Sequence, residues 1–260
     1  MRINKYISHN TKYSRREADE LIKEGRVKIG HKVVTDLSTQ VEPGDRVFVN
    51  GKPVKVQHKF TVIVYNKPKG ELVTKRDDRG RRTIYDTLPK KFAHFIPIGR
   101  LDFASEGLLL LTDSPKVASA LMESELERVY YLKIKGSVTP QMEEAMREGL
   151  FLEDASKGAH EKSKEKSMRF APFRAYKIIK NSPTFSKLKV VISEGKNREL
   201  RRFFAHFDRD VLDLKRVSFG GVDLGMLKEG KTRYLTSKEY EDLRKYLKEL
   251  EKKEKNSKNG

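Results

Sequence analysis

Asp102 and Glu106 stand four residues apart in GRLDFASEGLLLLTD, Gly99 to Asp113, with Arg100 just before them and four consecutive leucines, Leu108 to Leu111, just after. Carboxylates are the groups to consider for nucleophilic or base chemistry. The chain has no cysteine, and no serine sits in the Gly-x-Ser-x-Gly setting that exposes an activated hydroxyl. Two carboxylates this close could form the acid and base of a glycosidase. At this spacing they are more commonly caps or surface residues. The leucine run reads as a buried strand, which would fix the turn before it and hold Asp102 on a rigid element. Glu106 then reads as a turn or surface residue. SEGKNRE, around Gly195 and Lys196, lacks the spaced first glycine and the Ser or Thr of a phosphate-binding loop. The six histidines show no ligand spacing, so no protein metal site is expected.

Fifty-six Lys and Arg against 37 Asp and Glu give a formal charge of +19. Such an excess points to a polyanionic partner, nucleic acid first and an anionic membrane surface second. It also suits a sugar on a phosphate backbone better than a neutral glycan. No run approaches the roughly 20 apolar residues of a spanning helix, and MRINKYISHN lacks the apolar stretch of a signal peptide. The expectation is a soluble, cytoplasmic protein with no membrane contact.

Two units must position these groups. In the first, Ile3 and Ile7 share one helical face. SRREADELIKEG then starts on a Ser14/Glu17 capping box, turns Ala18, Leu21 and Ile22 inward and closes at Gly25. RVKIGHKVV and DRVFVNGKPV alternate apolar and polar residues around Gly30-His31 and Asn50-Gly51, which predicts hairpins. Arg15 and Arg16 fall in the first turn of the second helix, against its dipole, and Arg26 and Lys28 begin the next strand, a placement that favours a phosphate ligand. RINKYIS and YSRREADELIKEGRVKIGHKVV resemble the αL RNA-binding module first described in a small-subunit ribosomal protein, the S-four type, over about residues 1 to 52.

From Lys59 a second pattern begins. FTVIVYNKPKGELVT predicts a strand closed by a turn, SPKVASALMESE a helix with Val117, Leu121 and Met122 on one face, and RVYYLKIKGSV a strand. TPQMEEAMREGL is a helix capped by Thr139, with Pro140 at its first position and Gly149 at its end. Residues 156–169 form a polar insert with five basic and two acidic side chains, read as a flexible loop facing RNA. FRAYKIIK, SKLKVVISEG, VLDLKRVSFGGVDL and TRYLT read as strand, NRELRRFFAHF as helix. Strands and helices mix without a βαβ rhythm, so the fold class is α+β. From Ser237, Tyr240, Leu243, Leu247 and Leu250 recur at helical spacing, so the first half of the tail should dock as a helix and its charged end be disordered. The expected units are 1–56, an RNA-binding domain and linker; 57–236, a catalytic domain; and 237–260, the tail.

PIGRLDFASEGLLLLTD, ELERVYYLKIKG and SEGKNRELRRFF, with NKPKGELVT upstream, closely resemble the RsuA/RluB family of ribosomal-RNA pseudouridine synthases, from Met1 to about Thr236. The resemblance implies a central, largely antiparallel sheet flanked by helices, with a basic cleft across it. It implies that Asp102 is the catalytic aspartate, Tyr130 the tyrosine that stacks on the target base, Leu200 a wall of the base pocket and Arg201 the partner of the aspartate. Arg100 matches a residue that can enter the space left by a flipped nucleotide. Lys196, Arg198 and Arg202 would hold phosphates. Two departures stand beside these groups: Ala104-Ser105, where a polar residue and Thr are common, and Tyr131-Leu132, where Arg-Val is more usual. Isomerising uridine needs no cofactor. An aspartate can attack the ribose carbon or take the 2′ proton, and Arg201 would supply the opposite charge that a desolvated carboxylate needs. A base inside folded RNA must first leave its stack. The implied partner is ribosomal RNA, 23S in preference to 16S from the form of the motifs, acted on by a monomer. The alternatives are a 16S enzyme, a non-catalytic RNA-binding or ribosome-assembly protein on the same scaffold, and, more weakly, a nucleic-acid glycosylase that releases free base.

Overall fold

A computed structural model describes residues 1–42, 44–55, 60–196 and 198–258. The N-terminal unit begins with α1 (Ile3–Asn10) and α2 (Arg15–Lys23). Ser14 Oγ accepts from the Glu17 amide at 3.2 Å, and the Glu17 carboxylate accepts from the Ser14 amide at 2.7 Å, so two orphan donors of the helix start are satisfied together. Four short strands follow: β1 (Val27–Ile29), β2 (Lys32–Val33), β3 (Val47–Val49) and β4 (Lys52–Pro53). They form an antiparallel sheet in the order β2-β1-β3-β4. Asn50 and Gly51 take positive φ at the second turn, as a two-residue hairpin requires. Ile3, Ile7, Ala18, Leu21 and Ile22 pack on Val27, Val47 and Val49. The domain boundary expected at residue 56 lies outside the described residues.

The larger unit runs β5 (Val62–Lys67), α3 (Ile84–Thr87), β6 (Ile96–Ile98), β7 (Glu106–Thr112), α4 (Pro115–Met122), β8 (Arg128–Lys135), α5 (Pro140–Glu148), β9 (Leu150–Leu152) and β10 (Met168–Phe170). Next come β11 (Ala175–Lys180), β12 (Phe185–Ile192), α6 (Glu199–His206), β13 (Val211–Phe219), β14 (Val222–Asp223), β15 (Thr232–Tyr234) and α7 (Ser237–Lys258). The main sheet has the order β11-β12-β8-β13-β7-β5-β15, with β6 added on β7 and β14 on β13. Every pairing in it is antiparallel except β13 with β7. The largely antiparallel α+β architecture therefore holds.

Strand β7 explains the leucine run. Leu109 and Leu111 join Ile63 and Tyr65 of β5 in a core closed by α5 and α6, while Leu108 and Leu110 join Val62 and Val64 in a second core under α4 and α7. A strand buried on both faces reads as continuously apolar, not alternating.

Three expectations change. Met122 is exposed, because Val117, Ala118 and Leu121 alone fill the buried face of α4. Residues 156–169 do not project as a flexible loop. Ser163 Oγ and the Glu165 carbonyl accept hydrogen bonds from Arg202, Met168 is buried, and β10 pairs with β9. The insert is folded down because it supplies acceptors for a buried guanidinium. The tail stays helical to Lys258. A Thr236/Glu239 capping box starts it, Tyr240, Leu243 and Leu247 dock, and Glu251 pairs with Lys116 of α4 at 2.6 Å. Its charged end is rich in Glu and Lys, both good helix formers.

At the parallel junction of β7 with β13, Gly107 lies opposite Arg216 with φ +104°, and a Cβ there would sit 2.1 Å from the Arg216 carbonyl oxygen. Gly107→Ala should therefore cost at least about 3 kcal/mol, from a forbidden φ and a backbone clash together. Urea unfolding of wild type and variant measures it; equal midpoints would show that the strands can part without cost.

Candidate active site

Asp102 sits in the loop between β6 and β7, closed by a hydrogen bond from the Ser105 amide to the Asp102 carbonyl at 3.0 Å. The buried ammonium of Lys67, the last residue of β5, pins that loop. It donates to the carbonyls of Pro68 at 2.9 Å, Asp102 at 3.1 Å and Ser105 at 2.7 Å. Burial pulls Lys67 down to about 8, against the opposing pull of Glu71, Asp102 and Glu106. Behind it, Glu71 accepts from Tyr65 Oη at 2.6 Å and pairs with Arg82 Nε at 3.4 Å.

Asp102 Oδ2 lies 3.2 Å from Arg201 Nε and 3.2 Å from Arg198 Nη1. The start of α6 delivers both arginines, Arg201 from within the helix and Arg198 from the residue before it. Arg201 is nearly buried and donates also to Ser105 Oγ at 3.0 Å and the Val211 carbonyl at 3.3 Å. Arg198, left-handed at φ +51° just before α6, donates through Nε to the Gly158 carbonyl at 2.8 Å, so the folded insert helps to aim it. The Asp102 side chain remains 29% exposed, with its neighbours fixed and one side open. Such a carboxylate can reach a reacting carbon or proton on a bound substrate.

Tyr130 and Leu200 are buried in the same core cluster as Leu101, next to Asp102 in the chain. Arg216 Nη1 stands 3.5 Å from Tyr130 Oη, and its Nε donates to the Leu108 carbonyl at 2.8 Å. The structure thus brings together Asp102 and Arg201, and it buries Tyr130 and Leu200 in the core of the same domain. Glu106 begins β7 outside this group of side chains.

The phosphate-holding roles expected after Gly195 fare differently. Arg202 is fully buried under the insert and cannot meet a phosphate, since its guanidinium faces Ser163 and Glu165. Arg198 faces Asp102 instead of outward. Lys196 pairs with Glu194 at 3.0 Å and donates to the Arg169 carbonyl. Arg100 is exposed. Arg15, Arg16, Arg26 and Lys28 are exposed on the N-terminal unit, which meets α4 where Arg15 Nη2 and His9 Nε2 each lie 3.4 Å from Ser119 Oγ. Arg26 also donates to Asn50 Oδ1 at 2.6 Å and to Glu24 Oε2 at 3.1 Å.

Lys67, Ser105 and Arg216 are the site residues that the motifs alone did not assign. Lys67 had a signal: it follows Ile63 and Tyr65 at inward strand parity, inside the turn-forming NKPKG. Ser105 was marked only as a departure beside Asp102, and Arg216 not at all, because their partners lie 96 and 108 residues away.

Replacing Lys67 with Met leaves the three carbonyls without their donor and should cost about 3 kcal/mol. Hydrogen exchange should speed at the Ser105 amide, and unchanged protection there would remove Lys67 as the anchor. A second buried group acts through pH. Burial, followed by the hydrogen-bonded Glu194 carboxylate, holds Glu199 well above the ordinary carboxyl range. Across that window the folded state binds a proton that the unfolded state has lost, so stability falls as pH rises from about 5 toward neutrality. Glu199→Gln should flatten this fall, whose limit for one group is about 1.4 kcal/mol per pH unit; parallel urea curves at several pH values decide it.

Comparison with known proteins agrees with this geometry. Residues 61–206 match the family model described as RNA pseudouridylate synthase, and residues 1–47 match the S4 domain. A Helicobacter pylori protein described as an uncharacterized RNA pseudouridine synthase is 57% identical over 95% of this chain and 95% of its own. The ribosomal large subunit pseudouridine synthase B of Bacillus subtilis is 36% identical over 94% of this chain and 95% of its own. A crystal structure of a pseudouridylate synthase superposes with a TM-score of 0.63 at 26% identity, covering 94% of this chain and 99% of that one. With the matched fold surrounding an aspartate clasped by arginines from α6, this chain belongs to the RNA pseudouridylate synthase family and carries an S4 domain at its N-terminal end.

Proposed function

We propose that this protein isomerises one uridine of large-subunit (23S) ribosomal RNA to pseudouridine, as a cytoplasmic monomer, with Asp102 as the essential group. The observation that carries the reaction is the Asp102 carboxylate held at 3.2 Å by both Arg198 and Arg201, at the entry to a strand buried on both faces. The choice of RNA is supported by the relatives named ribosomal large subunit pseudouridine synthase B, 36% identical in Bacillus subtilis and 34% in Xylella fastidiosa.

The uridine leaves its stack and enters beside Asp102, against the wall that includes Tyr130 and Leu200, while Arg100 fills the vacated space. The bond from N1 to the ribose C1′ breaks, uracil turns, and C5 bonds to C1′. The C5 proton is lost and N1 gains one, so atoms and charge balance with no cofactor. Asp102 serves either by attacking C1′ or by taking the 2′ proton. Arg198 and Arg201, the latter held by Ser105 Oγ, fix the carboxylate for either route. Arg15, Arg16, Arg26 and Lys28 of the S4 domain hold phosphates of the same RNA.

Tritium release from uridine labelled at C5 tests this. Wild type should release tritium from 23S transcripts or particles and not from 16S, and mapping places the product. Asp102→Asn should lower the rate by about 10³-fold or more. Arg201→Met should lower kcat by about 10²-fold with little change in KM, because Arg201 faces Asp102 and not a phosphate. Release confined to 16S would reassign the substrate. Release of free uracil would identify a glycosylase, and tight binding without release from either RNA would identify a non-catalytic protein.

A further inference from the structure

One face of β8, β11 and β12 carries exposed and half-exposed side chains. On β8, Tyr130, Leu132 and Ile134 point into the core closed by α6, so Tyr131, Lys133 and Lys135 point to the other face. Residues paired across strands share a face. Lys189 lies opposite Tyr131, Lys187 opposite Lys133 and Phe185 opposite Lys135. Lys177 lies opposite Lys189, and Lys180 opposite Lys187. Lys215 of β13 completes the row through Tyr131. The second core, under α4 and α7, is built on β5 and β7 and leaves this part of the face open, with Tyr131 42% exposed.

This arrangement sets like charges directly across from each other at Lys177/Lys189, Lys180/Lys187 and Lys187/Lys133. Such pairs are destabilising. None of the lysines at 133, 135, 177, 180, 187, 189 and 215 has an ion-pair partner among the described residues. Aromatic rings underlie several of them: Lys133 and Lys180 lie 4.4 and 4.0 Å from the Phe185 centroid, and Lys189 5.8 Å from that of Tyr131. Strand spacing and alternation repeat the cations every roughly 5 to 7 Å in two directions. Asp213 of β13 lies opposite Lys133, but its carboxylate is paired with Lys69, and Glu106 of β7 lies opposite Lys215 at the margin.

We propose that this open face of β11, β12, β8 and β13 is a second RNA-binding surface, which takes the phosphate backbone of an RNA helix other than the strand entering the active site. Leu200 stands on α6 in the core on the other face of the sheet, where Tyr130 and Leu132 also point. An array of unneutralised cations over exposed rings fits phosphates and sugars. Cations repeated at strand spacing meet phosphates and not base edges, so the recognition is of backbone and independent of sequence. The inference concerns binding alone and holds whichever uridine is modified.

Fluorescence anisotropy with a short labelled RNA duplex tests it, using the full chain and no turnover. In Lys133→Gln/Lys187→Gln/Lys189→Gln, the slope of log affinity against log salt should fall by about 2 to 3, near 0.9 for each phosphate that is no longer neutralised. The matched set Lys248→Gln/Lys252→Gln/Lys255→Gln on α7 should change it by less than about 1. Thermal melts should place the β-face variant at or above wild type, since like-charge pairs are removed, and the corresponding Lys→Arg set should keep the wild-type slope. An unchanged slope, or equal changes from both Gln sets, overturns the proposal. Failure of the tritium assay with the slopes as expected would leave this surface standing and remove only the catalytic assignment.

Discussion

The ion pairs between Asp102 and the arginines of α6 join parts of the chain about a hundred residues apart, and the surrounding fold has to hold both ends still. A loop carrying a carboxylate is mobile unless tied down. Here the tie is double: β7 is locked between β5 and β13, and the Lys67 ammonium gathers the loop carbonyls beneath it. On the other side, α6 is seated by Leu200, Phe203 and Phe204 in the core. Its first turn is crossed by the folded insert, which accepts from Arg198 and Arg202. The close approach at Gly107 is part of the same requirement, since it lets β13 run beside β7 and bring Val211 within reach of Arg201.

Net charge alone misrepresents how this protein uses its cations. Several basic side chains are interior hydrogen-bond donors. Lys67, Arg128, Arg202 and Arg216 are buried, and all four reach backbone carbonyls. A guanidinium offers five donors in a fixed plane, so it can bind several carbonyls that strand ends and loops leave over. Arg128 does this for Leu126, Ser124 and Ser193 at the junction of β8 with the segment before α6. Part of the remaining surface excess lies on the exposed arginines of the S4 domain and on the lysine face of the sheet.

Interior carboxyls answer to the same balance. Glu71 sits among Tyr65, Thr87 and Arg82 and so has donors on several sides. Glu199 instead meets Glu194 in a buried place, where two negative charges cannot both be accommodated, and its proton is retained.

Local signals were enough to place most elements. Ser14 with Glu17 and Thr139 with Pro140 mark helix starts because capping depends only on residues three or four positions apart, and Asn50-Gly51 marks a turn because it permits positive φ. The run Leu108 to Leu111 announced a strand buried on both faces, and the motifs around Asp102 and in SEGKNRELRRFF singled out the two residues, Asp102 and Arg201, that the structure joins in an ion pair. What the sequence could not settle were contacts made across long separations. Arg198 and Arg202 look equivalent to Arg201 along the chain, yet one reaches Asp102 and the other is buried under residues 163–165. Lys67 looked like part of a turn until the strands set its ammonium beneath the Asp102 loop. Sequence determines which side chains are available and on which local element each sits. Only the tertiary structure decides which charge meets which partner, because a charge acts over a few ångströms of space without regard to distance along the chain.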